Sequence, residues 1–185
     1  MGCGKNGTFD IHPDFNQWAM MVFYKKPVED STITQTLINQ LIGSFIAKWW
    51  TVFQVQTTIY NLEPYAGHGS WDGKQFVENR KGIEDPQGKI GVLTRATIKL
   101  TKLKSFWKAV PATAKNLGET KGLIYSVGIG EIPFIKQATF SIWESAEDMK
   151  NYAYKMRAHQ DVIKKTRMEG WYSEEMFLRF KVIEN

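Results

Sequence analysis

Three histidines and one cysteine carry the most versatile side-chain chemistry in this chain of 185 residues. The histidines are His12, His68 and His159, and the cysteine is Cys3. A zinc site of the CxxC or HExxH type needs several such ligands at fixed spacing, and the sequence contains neither pattern. It also has no GxSxG elbow, no P-loop and no GxGxxG following a predicted strand. A haem iron, by contrast, needs only one strong protein ligand, which a single histidine supplies.

His159 has the most informative position of the three histidines. His12 and His68 are flanked by the turn-forming residues proline and glycine, whereas His159 falls within a long helical pattern. It follows Met156 by three positions and precedes Ile163 by four, which puts it at the edge of an apolar stripe. A lone histidine there is more often a hydrogen-bonded structural residue than an iron ligand. The residues by themselves leave both interpretations open.

Charged residues within predicted strands give further candidates. Arg95 lies in mid-strand among apolar residues, so it is either a pocket cation or a buried structural charge with a partner. Glu174 and Glu175 are adjacent on a strand and therefore face opposite ways, which excludes a catalytic carboxylate pair. Glu175 and Arg179 lie on one face, and their spacing predicts a structural ion pair.

The second half of the chain has the order of a ferredoxin-like unit. Strands are predicted at 91–99, 122–127, 136–143 and 171–182, and helices at 102–117 and 145–168. In the third strand Ala138, Phe140 and Ile142 share one face, while Gln137, Thr139, Ser141 and Trp143 share the other. The glycine-rich stretch 128–133 is predicted to be a turn. The resulting βαββαβ order is that of an α+β, ferredoxin-like fold.

The first half repeats the later part of this plan. The matched segments are Gly2-Cys3-Gly4 with Gly128-Ile129-Gly130, strand 18–24 with 137–143, helix 32–48 with 146–168, and strand 50–60 with the strand that begins at Trp171. Residues 1–60 are thus predicted to form an incomplete ferredoxin-like half and residues 91–185 a complete one, paired as a tandem pseudo-dimer in one compact domain. Residues 61–90 are predicted to be a linker without periodicity, whose aromatic residues anchor it or wall a pocket.

Composition bounds the location and the partners of the protein. A net charge of +5 and a pI near 9.2 suit a weak attraction to anionic lipids, nucleic acid or an acidic protein, but the charge is spread along the chain. One cysteine, no apolar run of about 20 residues and no signal-peptide pattern predict a cytoplasmic protein. Leu123 stands where RNA-recognition strands need a stacking aromatic, so nucleic acid is not expected. The lysines at 99, 102, 104 and 108 form either a solvated face or a docking patch for an acidic partner.

A long series of motifs in residues 91–182 matches one known family. It consists of Leu93 to Ile98, Phe106-Trp107, Val110-Pro111, Gly128 to Glu131 with Pro133, Gln137, Thr139 to Trp143, His159, Arg167, Glu169 to Trp171, Glu174-Glu175 and Arg179-Phe180. The series closely resembles the carotenoid-oxidising spheroidene monooxygenase family. Residues 1–60 match more loosely, through the glycine turn, Trp18 and Trp49-Trp50.

The resemblance implies an enzyme that contains haem b and inserts oxygen into a carotenoid or similar apolar polyene, using O₂ and reduced ferredoxin. It also implies kinship with haem-binding dimeric α+β barrel enzymes, namely chlorite dismutases and aldoxime dehydratases. His159 becomes the expected axial iron ligand. The expected pocket walls are Trp143, Tyr152, Met156 and Phe140, and the expected contacts to bound oxygen or a propionate are Gln137, Thr139 and Arg95, although each also suits ordinary packing.

Other functions fit the same resemblance. They are a non-catalytic haem- or lipid-binding module, a haem dehydratase and a cofactor-free oxygenase. A homodimer and a peripheral contact with a membrane surface are further expectations. Members of the family carry a strand and a helix before the first glycine turn, which predicts a preceding segment or a partner chain at that sheet edge.

Overall fold

Seven strands form a single antiparallel sheet in the computed structural model of the protein, which describes residues 2–5, 8, 10–23, 35–77, 84–114, 120–155 and 164–183. The strands are β1 (Gly2–Gly4), β2 (Pro13–Trp18), β3 (Asn61–Gly69), β4 (Ile90–Ile98), β5 (Leu123–Ile132), β6 (Lys136–Trp143) and β7 (Tyr172–Ile183). The helices are α1 (Gln35–Ile42), α2 (Ser44–Val52), α3 (Leu103–Ala114) and α4 (Ala146–Lys155), and residues 164–169 are also helical. The sheet order is β2-β1-β5-β6-β4-β7-β3.

Residues 90–183 form the predicted ferredoxin-like unit. The chain order is β4-α3-β5-β6-α4-β7, and the spatial order of its strands is β5-β6-β4-β7. The strands β4 and β5 are therefore separated by β6, which is the split βαβ arrangement of this fold. Ser145 begins the second helix by accepting a hydrogen bond from the Asp148 amide at 3.1 Å, and Gly170 ends the later helical turn with a φ of 59°. The α+β, ferredoxin-like prediction is confirmed.

The two faces of this sheet carry different apolar clusters. On one face, here called the helix face, α4 packs on Ile90, Val92 and Trp143, and α3 packs on Ile98 and Trp171. The opposite face, here called the far face, is also apolar. Its buried side chains are Cys3, Leu93, Val127, Ile129, Ala138, Phe140, Ile142, Met176, Leu178 and Phe180. The predicted alternation in residues 136–143 is confirmed, since Ala138, Phe140 and Ile142 belong to the far-face cluster and Trp143 to a helix-face cluster.

Two strands from outside the ferredoxin-like unit extend its sheet. Strand β1 pairs antiparallel with β5, and Gly2 lies opposite Gly130, so two matched segments of the predicted repeat are neighbours. Strand β3 pairs antiparallel with β7, and Asn61 lies opposite Ile183. This second pairing is not the one that the repeat predicted, because the predicted counterpart of β7 was strand 50–60. The division into an incomplete and a complete half stays a prediction.

The prediction for residues 50–69 was wrong. Helix α2 continues to Val52, residues 55–60 have no regular secondary structure, and the strand begins only at Asn61, inside the predicted linker. Residues 50–60 are rich in β-branched and aromatic side chains, which favour strands. Residues 50–52 nevertheless continue helix α2. Strand β3 lies at the edge of the sheet, where Pro64 beside a register shift costs no ladder hydrogen bond and glycines are tolerated. An edge strand of this kind shows no clear alternation in sequence.

Three other predicted boundaries differ from the structure. Strand β2 ends at Trp18, and residues 19–23 of the predicted strand 18–24 have no regular structure. The predicted turn 128–133 belongs largely to β5, because strands pair with it on both sides. The helix of the first half is divided at Gly43, whose φ is 83°. The remainder of both first-half predictions, residues 24–34, lies outside the described residues.

Candidate functional site

The helix face carries three of the predicted cofactor contacts, held by β6 and α4. Trp143 is 2% exposed, its ring lies 5.2 Å from the Tyr152 ring between centroids, and its indole Nε1 donates to the Ser141 hydroxyl at 2.9 Å. Burial raises the pKa of Tyr152. Gln137 is also buried, and its amide donates to the carbonyl oxygen of Ile132 at 3.3 Å. Six strand positions separate Gln137 from Trp143, or roughly 20 Å, so the two side chains lie at opposite ends of β6.

Arg95 is the centre of a polar cluster on the far face. Its side chain is 1% exposed and is bound by three carboxylates from different elements. Nε donates to Glu131 at 3.0 Å, Nη1 donates to Glu174 at 3.1 Å, and Nη2 lies 3.4 Å from an oxygen of Asp72. The guanidinium also lies over the Trp71 ring, 4.6 Å from its centroid. A buried cation with this many partners is fully compensated, as burial of a charge requires.

The turn of residues 70–74 is fastened to this cluster by Glu174. The Glu174 carboxylate accepts hydrogen bonds from the Ser70 hydroxyl at 2.7 Å, the Gly73 amide at 2.9 Å and the Asp72 amide at 3.1 Å. These bonds, led by those from Gly73 and Ser70 and joined by that from Arg95, lower the pKa of Glu174 to about 2. A hydrogen bond from Lys136 lowers the pKa of Asp72 in turn. The cluster therefore keeps these two carboxylates ionised at neutral pH.

Aromatic side chains from two loops cover the far face. Trp71 and Phe76 follow β3, Phe23 follows β2, and the rings of Phe23 and Phe76 stack with centroids 4.3 Å apart. Tyr60, just before β3, lies 6.4 Å from Phe140 between ring centroids. The partly buried rings of Tyr60, Trp71 and Phe76 pack against the far-face cluster, and the exposed ring of Phe23 lies on Phe76. The far face is thus an apolar surface under an aromatic cover, closed at one end by the Arg95 cluster.

A second charged network lies on the helix face beside β3. Asp85 binds Arg179 at 2.6 Å and Lys150 at 2.5 Å, and it accepts a hydrogen bond from the Tyr65 hydroxyl at 3.0 Å. Burial opposes ionisation of Asp85, but hydrogen bonds from Lys150 and Tyr65 and the charge of Arg179 leave its pKa lowered. Burial raises the pKa of Tyr65 to about 12. The predicted partner of Arg179 was therefore wrong, because Arg179 binds Asp85 from the predicted linker rather than Glu175.

Comparison with known proteins places the chain in a family. No family model matches it. It is 33% identical over 183 residues to a spheroidene monooxygenase of Cereibacter sphaeroides. The matched region covers 98% of this chain and 54% of that protein. It is 31% identical over 183 residues to a spheroidene monooxygenase of Rhodobacter capsulatus. Here the matched region covers 98% of this chain and 73% of that protein. The chain belongs to the spheroidene monooxygenase family. It spans about half the length of the first of these relatives.

Solved structures show only a distant likeness to this member of the spheroidene monooxygenase family. SnoaB, a cofactor-independent oxygenase from Streptomyces nogalater, has a TM-score of 0.42 at 10% identity over 53% of this chain and 96% of that chain. A protein of Shewanella oneidensis has a TM-score of 0.46 at 12% identity over 55% of this chain and 98% of that chain. Structural similarity at these TM-scores adds nothing to the fold assignment, which rests on the strand order.

The described members of the predicted haem-contact set do not fit a single haem pocket. Arg95 lies on the far face, whereas Trp143, Tyr152 and Gln137 lie with the helix face. The donors of Arg95 are engaged by carboxylates, and the indole of Trp143 is enclosed by side chains of β4 and α4. Among the described residues no group of three or more His, Cys, Asp or Glu side chains is placed to hold a metal ion.

His159 and Met156 lie outside the described residues, so their roles as iron ligand and pocket wall stay predictions. The same holds for the individual roles of the other predicted contacts. No helix among the described residues is long and apolar enough to cross a membrane.

Sequence reasoning missed the partners of Arg95 and the aromatic cover of the far face as a unit. The requirement that a mid-strand arginine have carboxylate partners was evident, but Glu131, Asp72 and Glu174 are separated along the chain by 40 residues or more. One signal was available for Glu174. Strand alternation puts Glu174 on the face opposite Glu175, and Glu174 is indeed the residue that turns toward Arg95.

Proposed function

We propose that the protein is a monooxygenase that acts on a carotenoid or a similar apolar polyene. One atom of O₂ enters the substrate, and the other is reduced to water with two electrons from a donor that we propose to be a reduced ferredoxin. The observation that carries this proposal is the 31% identity over 98% of the chain to the Rhodobacter capsulatus relative, 73% of whose length the chain covers.

The geometry of the far face supports an apolar, elongated ligand. Its floor is built from Leu93, Val127 and Phe140, and its cover from Trp71 and Phe76. Flat aromatic rings over an apolar floor suit a conjugated polyene, because both surfaces are apolar and the rings stack on a planar chain. The Arg95 cluster borders this surface, and each of its cations has a carboxylate partner.

Haem b bound through His159 is the cofactor of this proposal, without joint contacts from Arg95 and Trp143, because those side chains lie on opposite faces of the sheet. When bound, the haem iron would supply the activation of O₂. The residues that the structure describes contribute apolar clusters on both faces of the sheet.

The haem part of the proposal is tested by the absorption spectrum of the purified protein after addition of haem. We expect a sharp Soret band in the wild type and in His68→Ala, and its loss in His159→Ala. His68 is the matched control because it is exposed and only stacks on Phe177. A Soret band in all three proteins would reject His159 as the ligand. No band in any of them would reject haem and point to a cofactor-free or non-haem protein.

The reaction is tested separately with the holo-protein, O₂, a reduced ferredoxin and a carotenoid such as spheroidene. We expect a product that gains an oxygen atom derived from labelled O₂, detected by mass spectrometry. Haem binding without an oxygenated product would indicate a binding module rather than an oxygenase. Turnover of a small aldoxime without an external donor would instead indicate a dehydratase.

A further inference from the structure

One segment of the chain carries lysines without any acidic residue between them. Residues 86–118 contain no Asp or Glu, and Lys99, Lys102, Lys104 and Lys108 fall within ten of those positions. Three of these four lysines are exposed, and Lys102 is half-buried. Within the part of the chain that the structure describes, none of the four forms an ion pair with a carboxylate.

The helical residues 164–169 bring a second basic segment to the same place. The Lys99 amide donates to the carbonyl oxygen of Trp171 at 2.9 Å, and the Lys99 ammonium lies beside Gly170, which ends that helical segment. Phe106 of α3 also packs against Trp171, with ring centroids 6.0 Å apart. Lys164 and Arg167 are exposed on this segment. The two basic segments therefore adjoin and form one surface.

Two large apolar side chains project from this surface. Leu100 follows Lys99 and is 68% exposed, and Met168, two residues before Gly170, is 88% exposed. The buried side of α3, formed by Phe106 and Val110, faces the sheet, so Leu100 and Met168 are not part of the core. We call Lys99, Leu100, Lys102, Lys104, Lys108, Lys164, Arg167 and Met168 the basic edge.

We propose that the basic edge docks the protein on an anionic lipid bilayer. Lysines at such a surface are attracted to anionic headgroups, and exposed apolar side chains between them insert at the boundary between headgroups and acyl chains. An acidic protein would satisfy the lysines equally well, but exposed apolar side chains set among lysines are the combination that inserts into the boundary of an anionic bilayer. The inference rests on charge and exposure alone, and it does not depend on haem, on O₂ or on the substrate.

The electrostatic part is tested by co-sedimentation of the full chain with vesicles of phosphatidylcholine, with or without phosphatidylglycerol. We expect binding only to the anionic vesicles and weaker binding at high salt. Lys104→Gln/Lys108→Gln should weaken binding by roughly 30-fold, since each lysine near an anionic surface contributes about 1 kcal/mol. The matched control is Lys48→Gln/Lys181→Gln, which removes the same charge from exposed positions elsewhere and should have a much smaller effect.

The apolar part is tested with Leu100→Ser/Met168→Ser, which leaves the charge unchanged. We expect at least about tenfold weaker binding, because the insertion of two large side chains is lost. Circular dichroism should show an unchanged fold, since both side chains are exposed. No loss of vesicle binding in this variant would overturn the insertion of Leu100 and Met168, and no loss in the lysine variant would overturn the basic edge as the docking surface. Equal binding to neutral and anionic vesicles would also overturn it.

Discussion

Arg95 on β4 and Trp143 on β6 lie on opposite faces of the sheet, although their strands are hydrogen-bonded neighbours. Arg95 faces the aromatic cover formed by Trp71, and Trp143 faces helix α4. The sheet between them is one layer of backbone, so no ligand contacts both side chains without passing through it. Residues assigned to one cofactor by resemblance are thus divided between two environments, which mutations can separate.

Replacing Arg95 should destabilise the fold more than replacing an exposed cation. Arg95→Met leaves the Glu131 and Glu174 carboxylates without their buried counter-ion, and we expect the free energy of unfolding to fall by about 3 kcal/mol. Arg95→Lys should lie between this variant and the wild type, because an ammonium cannot bind three carboxylates in the fixed geometry of a guanidinium. Urea unfolding measures both, with Lys181→Met as the control. A change of less than about 0.5 kcal/mol in Arg95→Met would contradict the structural role.

The stability of the protein should depend on the ionisation of Glu174 in acid. The folded-state pKa of about 2 lies below the ordinary value of 4.5, so the unfolded chain binds the proton first as the pH falls. The stabilisation is therefore complete above about 4.5 and is lost progressively toward about 2. Unfolding by urea across this interval should show a shallower loss of stability in Glu174→Gln than in the wild type. Parallel pH profiles of stability in the two proteins would show that hydrogen bonds to the ionised Glu174 carboxylate do not stabilise the fold.

Local patterns predicted the second half of the fold closely, and pairing between distant segments explains what they missed. Lys136 to Trp143 is a strand with the predicted alternation, because one side meets α4 and the other meets the far-face cluster. Local patterns did not predict strand β3, because β3 forms by pairing with β7, which lies more than 100 residues later in the chain. Glycine and proline in β3 also remove the side-chain signal on which a strand prediction depends.

The candidate site was predicted in chemistry but not in arrangement. Arg95 was predicted to be either a pocket cation or a buried structural charge with a partner, and its carboxylates come from three segments whose meeting is set by sheet order. Which face a strand residue occupies relative to a residue of another strand depends on register, and register is a property of the assembled sheet. This is why Arg95 and Trp143 were assigned to one pocket.

Substitution of two glycines with positive φ allows the cost of backbone strain to be measured apart from the cost of steric overlap. Gly69 has a φ of 84°, and a Cβ there would overlap the carbonyl oxygen of Glu175. Gly73 has a φ of 75°, and a Cβ there would meet nothing within 4 Å. Gly73→Ala should therefore cost about 1 kcal/mol from backbone strain alone. Gly69→Ala should cost clearly more, because β3 must also move away from β7. Thermal unfolding of the two variants gives the comparison, and equal losses would show that β3 relaxes freely.

The far face can be distinguished from the helix face as a binding surface by tryptophan fluorescence. Trp71 covers the far face and contacts Phe23 and Phe76, whereas Trp49 lies on α2 and stacks on Phe53. A polyene bound on the far face should quench Trp71 because the two π systems lie close together. We expect Trp71→Phe to remove most of the quenching and Trp71→Ala to weaken binding by about tenfold or more, since a large contact area is lost. Trp49→Phe should retain the quenching and the affinity of the wild type. Unchanged quenching in Trp71→Phe, with retained binding, would move the polyene to the helix face, where Trp143 and Tyr152 would be its contacts.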